Sequence, residues 1–442
     1  WHAQELLDAG RGKLFPFGDD VALSRTLLEL FESKHELQRM RAAASDLTQS
    51  MLWPNVAGSY LALAAEALSE SPTRRSPAQI PRASSLPELR LDHLERMTDD
   101  TGLIQHATFS VPARRSGYCV DDNARALIVA LHADRLHSSA DTRRLVTTYL
   151  SYVNHAQRED GQFDNFMSYA RVPLEADRCS EDCLGRALWS LGATVRLASD
   201  RGCRQLARDM FARALPNALS VGPRGTALAM LGISELMSAE PASGELRAML
   251  VTLTESLIQR YRQHADGEWR WFEPALSYDN ATLPLALLKS YELTGDHATL
   301  QVAREALAFL ESTCFEGDRL RLIGNTGWHS RGGMKAVADE QAIDAAAFVL
   351  AFRSAYLATR DVRYRGRMRQ AFAWFLGENR LGVPLYDFST AGCCDGLGAS
   401  EPNLNQGAES TLCFLMSLID MLELAAEDLE HAATVEETKV VA

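Results

Sequence analysis

Tyr118-Cys119-Val120-Asp121-Asp122-Asn123-Ala124-Arg125-Ala126-Leu127 sets an acid-bearing opening directly against an Ala/Leu-rich helical run. The form returns at Ser180-Glu181-Asp182-Cys183-Leu184-Gly185-Arg186-Ala187-Leu188, at Tyr278-Asp279-Asn280-Ala281, at Asp339-Glu340-Gln341-Ala342 and at Asn405-Gln406-Gly407-Ala408-Glu409. A weaker copy begins at Gly222-Pro223-Arg224. Starts at 121, 180, 222, 278, 339 and 405 lie 59, 42, 56, 61 and 66 residues apart. That is an irregular helical-hairpin period, too loose for a short solenoid repeat and suited to one closed ring.

Working outward, twelve helical patterns fall at about 88–98, 121–136, 140–157, 180–198, 201–215, 223–238, 243–264, 279–294, 297–314, 339–359, 362–378 and 405–426. Every second one is apolar on all sides, as in Ala345-Ala346-Ala347-Phe348-Val349-Leu350-Ala351-Phe352. The helices between are amphipathic. A helix apolar all round must be buried. Six buried helices alternating with six half-exposed ones are what an inner ring inside an outer ring requires. The expected fold is mostly α, an (α/α)6 toroid over 88–426, and Trp189, Trp374 and Phe414 are expected in its core.

Composition narrows the function. A net charge of −13 argues against nucleic acid or an anionic membrane as the main partner, because both select basic surfaces. No run of 18 apolar residues is present, so no membrane span is expected, and the start Trp1-His2-Ala3-Gln4-Glu5 lacks the pattern of a secretory signal. The eight cysteines show no CxxC pair and no ligand-like spacing with histidine. A cytoplasmic protein without metal or cofactor is the expectation. Residues 69–87, with four prolines and five serines, read as a linker, and 427–442 as a disordered tail beyond the first turn.

The first 68 residues read differently. Asp19 or Asp20 can cap a helix to Glu32, a second helix follows at about 34–50, and Trp53-Pro54-Asn55-Val56 opens a third. Before them a short apolar strand is expected between glycine turns. Gly10-Arg11-Gly12-Lys13-Leu14-Phe15-Pro16-Phe17-Gly18-Asp19 and Trp53-Pro54-Asn55-Val56-Ala57-Gly58-Ser59-Tyr60 resemble the closing segment of a GT-B glycosyltransferase of family 4. The resemblance covers Gly10–Leu61 and implies an α/β remnant at 1–68. The family's donor-binding motifs would lie upstream, so this chain alone is not expected to transfer sugars.

The acid-bearing openings resemble those of the six-hairpin glycosidase superfamily, and more closely the helical domain behind some bacterial family 4 glycosyltransferases. This resemblance spans roughly 88–426 and implies an oligosaccharide or glycan substrate. In such a ring the inner helices share one direction, so the openings gather at one mouth. Loops containing Asp164, Trp271, Trp328-His329 and Asp395 would enter it. Asp122, Asp279 and Glu340 are the expected acid/base residues, with Asp164 and Glu409 as further carboxylates. Asn123, Arg125, Asn280 and Gln406 would orient hydroxyls, and Trp271, Trp328 and His329 would wall the sugar subsites.

Helix capping is the plainer account of any single opening acid, at about 1 kcal/mol each. It does not explain two acids per start at 121/122, 181/182 and 339/340. Crowded carboxylates raise one another's pKa and set a proton donor beside a base, the glycosidase arrangement. A diphosphate-binding DDxxD motif is broken at Arg125, and HExxH is absent. A sugar epimerase would want histidines at the mouth, where His329 is expected and His106 and His155 are not. A non-catalytic glycan-binding or scaffolding module is the remaining alternative.

Overall fold

The structure, a computed structural model, describes residue 7 and residues 9–69, 86–174 and 180–441. Most of the expected linker at 69–87, the extreme N-terminus and Cys179 lie outside them. The chain divides into two compact units, Trp1–Gln79 and Ile80–Ala442.

In the first unit, helices α1 (Asp20–Glu32), α2 (Lys34–Met51) and α3 (Trp53–Ser69) follow one another. The cap of α1 is Asp19, whose carboxylate accepts from the Ala22 amide at 2.8 Å. No strand forms between Gly10 and Gly18, where a short one was expected. Ala22 is the one buried apolar side chain among the described residues of this unit, while Phe17, Phe31, Trp53 and Tyr60 are exposed.

The second unit is the ring. Its described helices are α4 (Asp92–Met97), α5 (Val120–Leu136), α6 (Ala140–Ala156), α7 (Glu181–Leu197), α8 (Arg201–Ala214), α9 (Pro223–Ala239), α10 (Gly244–His264), α11 (Thr282–Thr294), α12 (His297–Cys314), α13 (Ala342–Thr359), α14 (Arg363–Ala373) and α15 (Ala408–Val441). The odd-numbered helices pack in the order α5, α7, α9, α11, α13, α15 and close back on α5. The even-numbered ones each lie outside, paired with an inner neighbour, and α4 sits against α15. The last helix runs unbroken past residue 426. By length and composition α13 would pass for a membrane span, but it is a largely buried inner helix.

Periodicity explains the division. Inner helices bury nearly every position, as α9 does from Arg224 to Ser234. Outer ones bury a stripe, as α8 does with Ala207, Met210, Phe211 and Ala214. The tightest seam joins α7 to α9, where Gly185 and Gly192 face Gly225 and Gly232. A Cβ at Gly192 would lie 2.2 Å from the Gly232 carbonyl oxygen, and one at Gly232 would lie 2.5 Å from that of Leu188. Backbones approach this closely only without side chains.

Short antiparallel ribbons stitch the mouth loops to the helix openings. Tyr118–Cys119 pairs with Phe166–Met167, and Glu340–Gln341 pairs with Gly396–Leu397, which pairs in turn with Pro402–Asn403.

Gly232→Val should force α7 and α9 apart and lower stability by about 1–3 kcal/mol or more, as overpacking does. Gly366→Ala, in α14 with open space around it, should instead stabilise by about 0.5–1 kcal/mol. Thermal melts of the two variants check the contrast.

Candidate functional site

None of the opening acids caps its own helix. The cap of α5 is Cys119, whose sulfur accepts from the Asp122 amide, and that of α7 is Ser180. Helices α9, α11 and α13 start at Gly222, Ala281 and Gln341 without a side-chain cap. Glu181 reaches across instead, accepting from the Gly222 amide at 2.7 Å. Asp279 and Asp339 hold left-handed backbones, with φ of 49° and 62°, costly geometry that the surrounding contacts must enforce.

These acids are tied by buried arginines one turn inside the ring. Arg125 Nη1 donates to Asp122 Oδ1 at 3.1 Å and Nη2 to Glu409 Oε2 at 2.9 Å, joining α5 to α15. Arg186 Nη1 donates to Asp121 Oδ1 at 3.0 Å and lies 3.6 Å from Asp182 Oδ2, while its Nη2 donates to Asp279 Oδ2 at 3.3 Å. Arg224 donates to the Tyr278 carbonyl, Glu273 and Ser277, and its guanidinium lies 4.6 Å from the Tyr278 ring centre. Thus α5, α7, α9 and the α11 opening form one charged belt.

A cavity of about 450 Å³ opens at this end. Its wall includes Asp121, Asp122, Arg125, Arg186, Glu340 and Glu409, with His106, Phe166, Asp339 and Asp395 around them. Burial, aided by nearby Glu409 and Asp121, pushes Asp122 up to about 7 against the pull of Arg125. Burial also works against ionised Asp121, but Arg186, Arg125 and the Asn165 amide outweigh it and hold this carboxyl below its usual range. Two adjacent aspartates are thereby set apart, Asp121 ionised and Asp122 holding its proton up to about pH 7. That is the pairing acid/base chemistry needs.

The expected residues fare unequally. Asp122, Arg125, Glu409 and Glu340 lie on the cavity wall. Glu340 is nevertheless 1% exposed, with one oxygen held by the Trp374 indole and the other by Arg380, both at 3.0 Å. Asp279 sits one ion pair behind the wall, its other oxygen taken by Thr282. Asn123 and Asn280 spend their amides on local backbone, Asn123 on Leu103 and Cys119, Asn280 on Ser277. Gln406 bridges Thr390 and Asp387. Asp164 lies by Arg158, away from the cavity lining.

The aromatic wall is not where it was expected. Trp271 is fully buried against Phe272, so it is core. Trp328 packs toward Tyr278, and His329 packs on Trp269; neither lines the cavity, where Phe166 is the aromatic residue among the described lining. His106, expected elsewhere, is on the wall. Trp374 and Phe414 are core as expected, but Trp189 is only partly buried. Sequence reasoning missed Asp121 and Arg186 as a pair. The repeated Arg125-Ala126-Leu127 and Arg186-Ala187-Leu188 was the available signal.

No protein-family model matches the chain, and no curated protein matches its sequence. Solved structures do match in fold. Cellobiose 2-epimerase from Bacillus thermoamylovorans B4167 aligns at a TM-score of 0.58 with 11% identity, covering 75% of this chain and 95% of that one. A D-mannose isomerase aligns at 0.58 with 11% identity, covering 79% and 100%. An inactive α-1,6-mannanase variant from a Salegentibacter species, with two adjacent aspartates changed to asparagine and α-1,6-mannotriose bound, aligns at 0.52 with 12% identity, covering 76% and 97%.

Arg186→Met should leave buried Asp121 and Asp279 without their main counter-charge and cost about 3–5 kcal/mol. Unpaired, both carboxyls would favour the neutral form, so the variant loses stability as pH rises and the deficit shrinks toward pH 4. Melting curves across pH 4–8 test the sign. The fold these observations establish is the (α/α)6 toroid.

Proposed function

We propose that the ring cleaves a glycosidic bond at its mouth, with Asp122 as proton donor and Asp121 as the ionised carboxylate. The opposite shifts of these neighbouring acids, on the wall of one cavity, carry the reading. As the bond from the anomeric carbon to the bridging oxygen breaks, that oxygen takes the Asp122 proton. The Asp121 carboxylate faces the positive charge that develops on the sugar, and water supplies the hydroxyl at the anomeric carbon while its other proton passes to the Asp122 carboxylate and restores the acid. Arg186 and Asn165 hold both Asp121 oxygens, fixing its orientation. Support comes also from the mannanase of the same fold, inactive when two consecutive aspartates become asparagine.

A second reading has its own observation. His106 stands on the cavity wall within electrostatic reach of Asp395, and an epimerase and an isomerase share the fold. There the histidine would move a proton at the carbon beside a sugar carbonyl.

The first unit we assign to the closing segment of a family 4 glycosyltransferase domain. Three helices with one buried apolar side chain among the described residues and an exposed Trp53, Phe17 and Phe31 lack a core of their own. Such surfaces belong against another layer.

Incubating the protein with neutral α- and β-linked oligosaccharides, and reading release by chromatography, should show hydrolysis that Asp122→Asn lowers by about 10²–10⁴. The rate should fall as pH rises through about 7, where Asp122 loses its proton, and hold toward acid until Asp121 is protonated. Deuterium entering C2 of a reducing sugar in D₂O, abolished by His106→Ala and without bond cleavage, would overturn hydrolysis in favour of epimerisation.

A further inference from the structure

The opposite end of the ring opens on a second cavity, of about 590 Å³, lined by residues of all six inner helices. Its wall is built in two layers. Ile128, Leu231, Leu285, Leu350, Met416 and Ile419 form an aliphatic layer, joined by the partly buried Trp189. Four residues beyond most of these, on the same helix faces, come His132, Glu235, Lys289, Ser354, Asp420 and Glu423. The apolar layer therefore lies one turn deeper than the polar one around most of the ring.

The polar layer is paired within itself. Arg196 binds Glu235, Lys289 binds Glu292, and Arg353 binds Asp420, Glu423 and Glu427, with His132 also on Glu423. Four Arg or Lys side chains face five carboxylates around the rim, a nearly balanced set with a small acidic excess. The serine hydroxyls on the wall donate within the protein, Ser234 and Ser238 to backbone carbonyls and Ser354 to Glu292, and present their oxygens as acceptors beside the carboxylates.

We propose that this cavity binds a single-tailed amphiphile, its aliphatic chain in the inner layer and an uncharged, hydroxyl-bearing head at the ion-paired rim. Three features select that class. An aliphatic floor gains from methylenes and gives a bare sugar nothing to hydrogen-bond. The nearly balanced rim, with one carboxylate in excess, disfavours an anionic head and offers acceptor oxygens to hydroxyls. The volume lies within the range of pockets that enclose molecules of this size. The proposal stands independently of the mouth and its chemistry.

The probe is a series of hexyl, heptyl and octyl β-glucosides below their micelle concentrations, with methyl glucoside as the head alone, titrated calorimetrically into the full chain. Saturable binding should tighten roughly fourfold per methylene. It should be lost in Leu285→Phe, which fills the inner layer, and in Ser238→Trp, which blocks the rim should the first variant not fold. Asp122→Asn should leave it unchanged. Affinity flat with chain length, equal binding of methyl glucoside, or loss in Asp122→Asn would put the ligand at the mouth and overturn the proposal. Absence of saturable binding across the series would overturn it as well.

Discussion

Arg186 is the tie on which the mouth depends. It lies 5% exposed and meets three carboxylates from three different parts of the chain, Asp121, Asp182 and Asp279. An isolated buried guanidinium would be prohibitive, and so would three buried carboxylates without it. Held together, they stitch α5, α7 and the α11 opening into a geometry that packing of Ala and Leu alone would leave free to slide. The same tie divides Asp121 from Asp122. One is held ionised by Arg186. Its neighbour, whose own arginine is shared with Glu409, is left to burial and crowding and keeps its proton to about 7.

The fold was legible because its cause is local. All-round apolar helices must be inside, amphipathic ones must flank them, and all twelve patterns correspond to described helices, most ends within a few residues. The site was only half legible, because its geometry depends on partners far away in the chain. Asp122, Arg125 and Glu409 could be picked from the opening motif. Nothing near Glu340 announces that Trp374 and Arg380, 34 and 40 residues later, occupy both its oxygens. Trp271 sits among acids in the sequence, yet an aromatic beside acids carries no direction, and packing against Phe272 turned it into the core. His106 precedes a tight hairpin, Ala107–Thr108 with Val111–Pro112, where no periodicity indicates which way a side chain faces.

The acids at the openings also demand a sterner test than their number. Six parallel inner helices bring six N-terminal ends to the mouth, where the helix dipoles favour carboxylates. The chain follows that preference at the mouth, where Asp121, Asp122 and Glu409 line the cavity, whereas the far rim carries five carboxylates beside four Arg or Lys. Acidity at the mouth is thus partly a property of the architecture, as would be expected of any such ring. What the dipoles do not produce is a divergence between two consecutive residues on one helix turn, because both feel the same N-terminus. The split between Asp121 and Asp122 requires the side chains around them, Arg186 and Asn165 on one, Arg125, Cys119 and Glu409 about the other. That arrangement, rather than the acidic composition of the rim, is what the proposed proton transfer rests on.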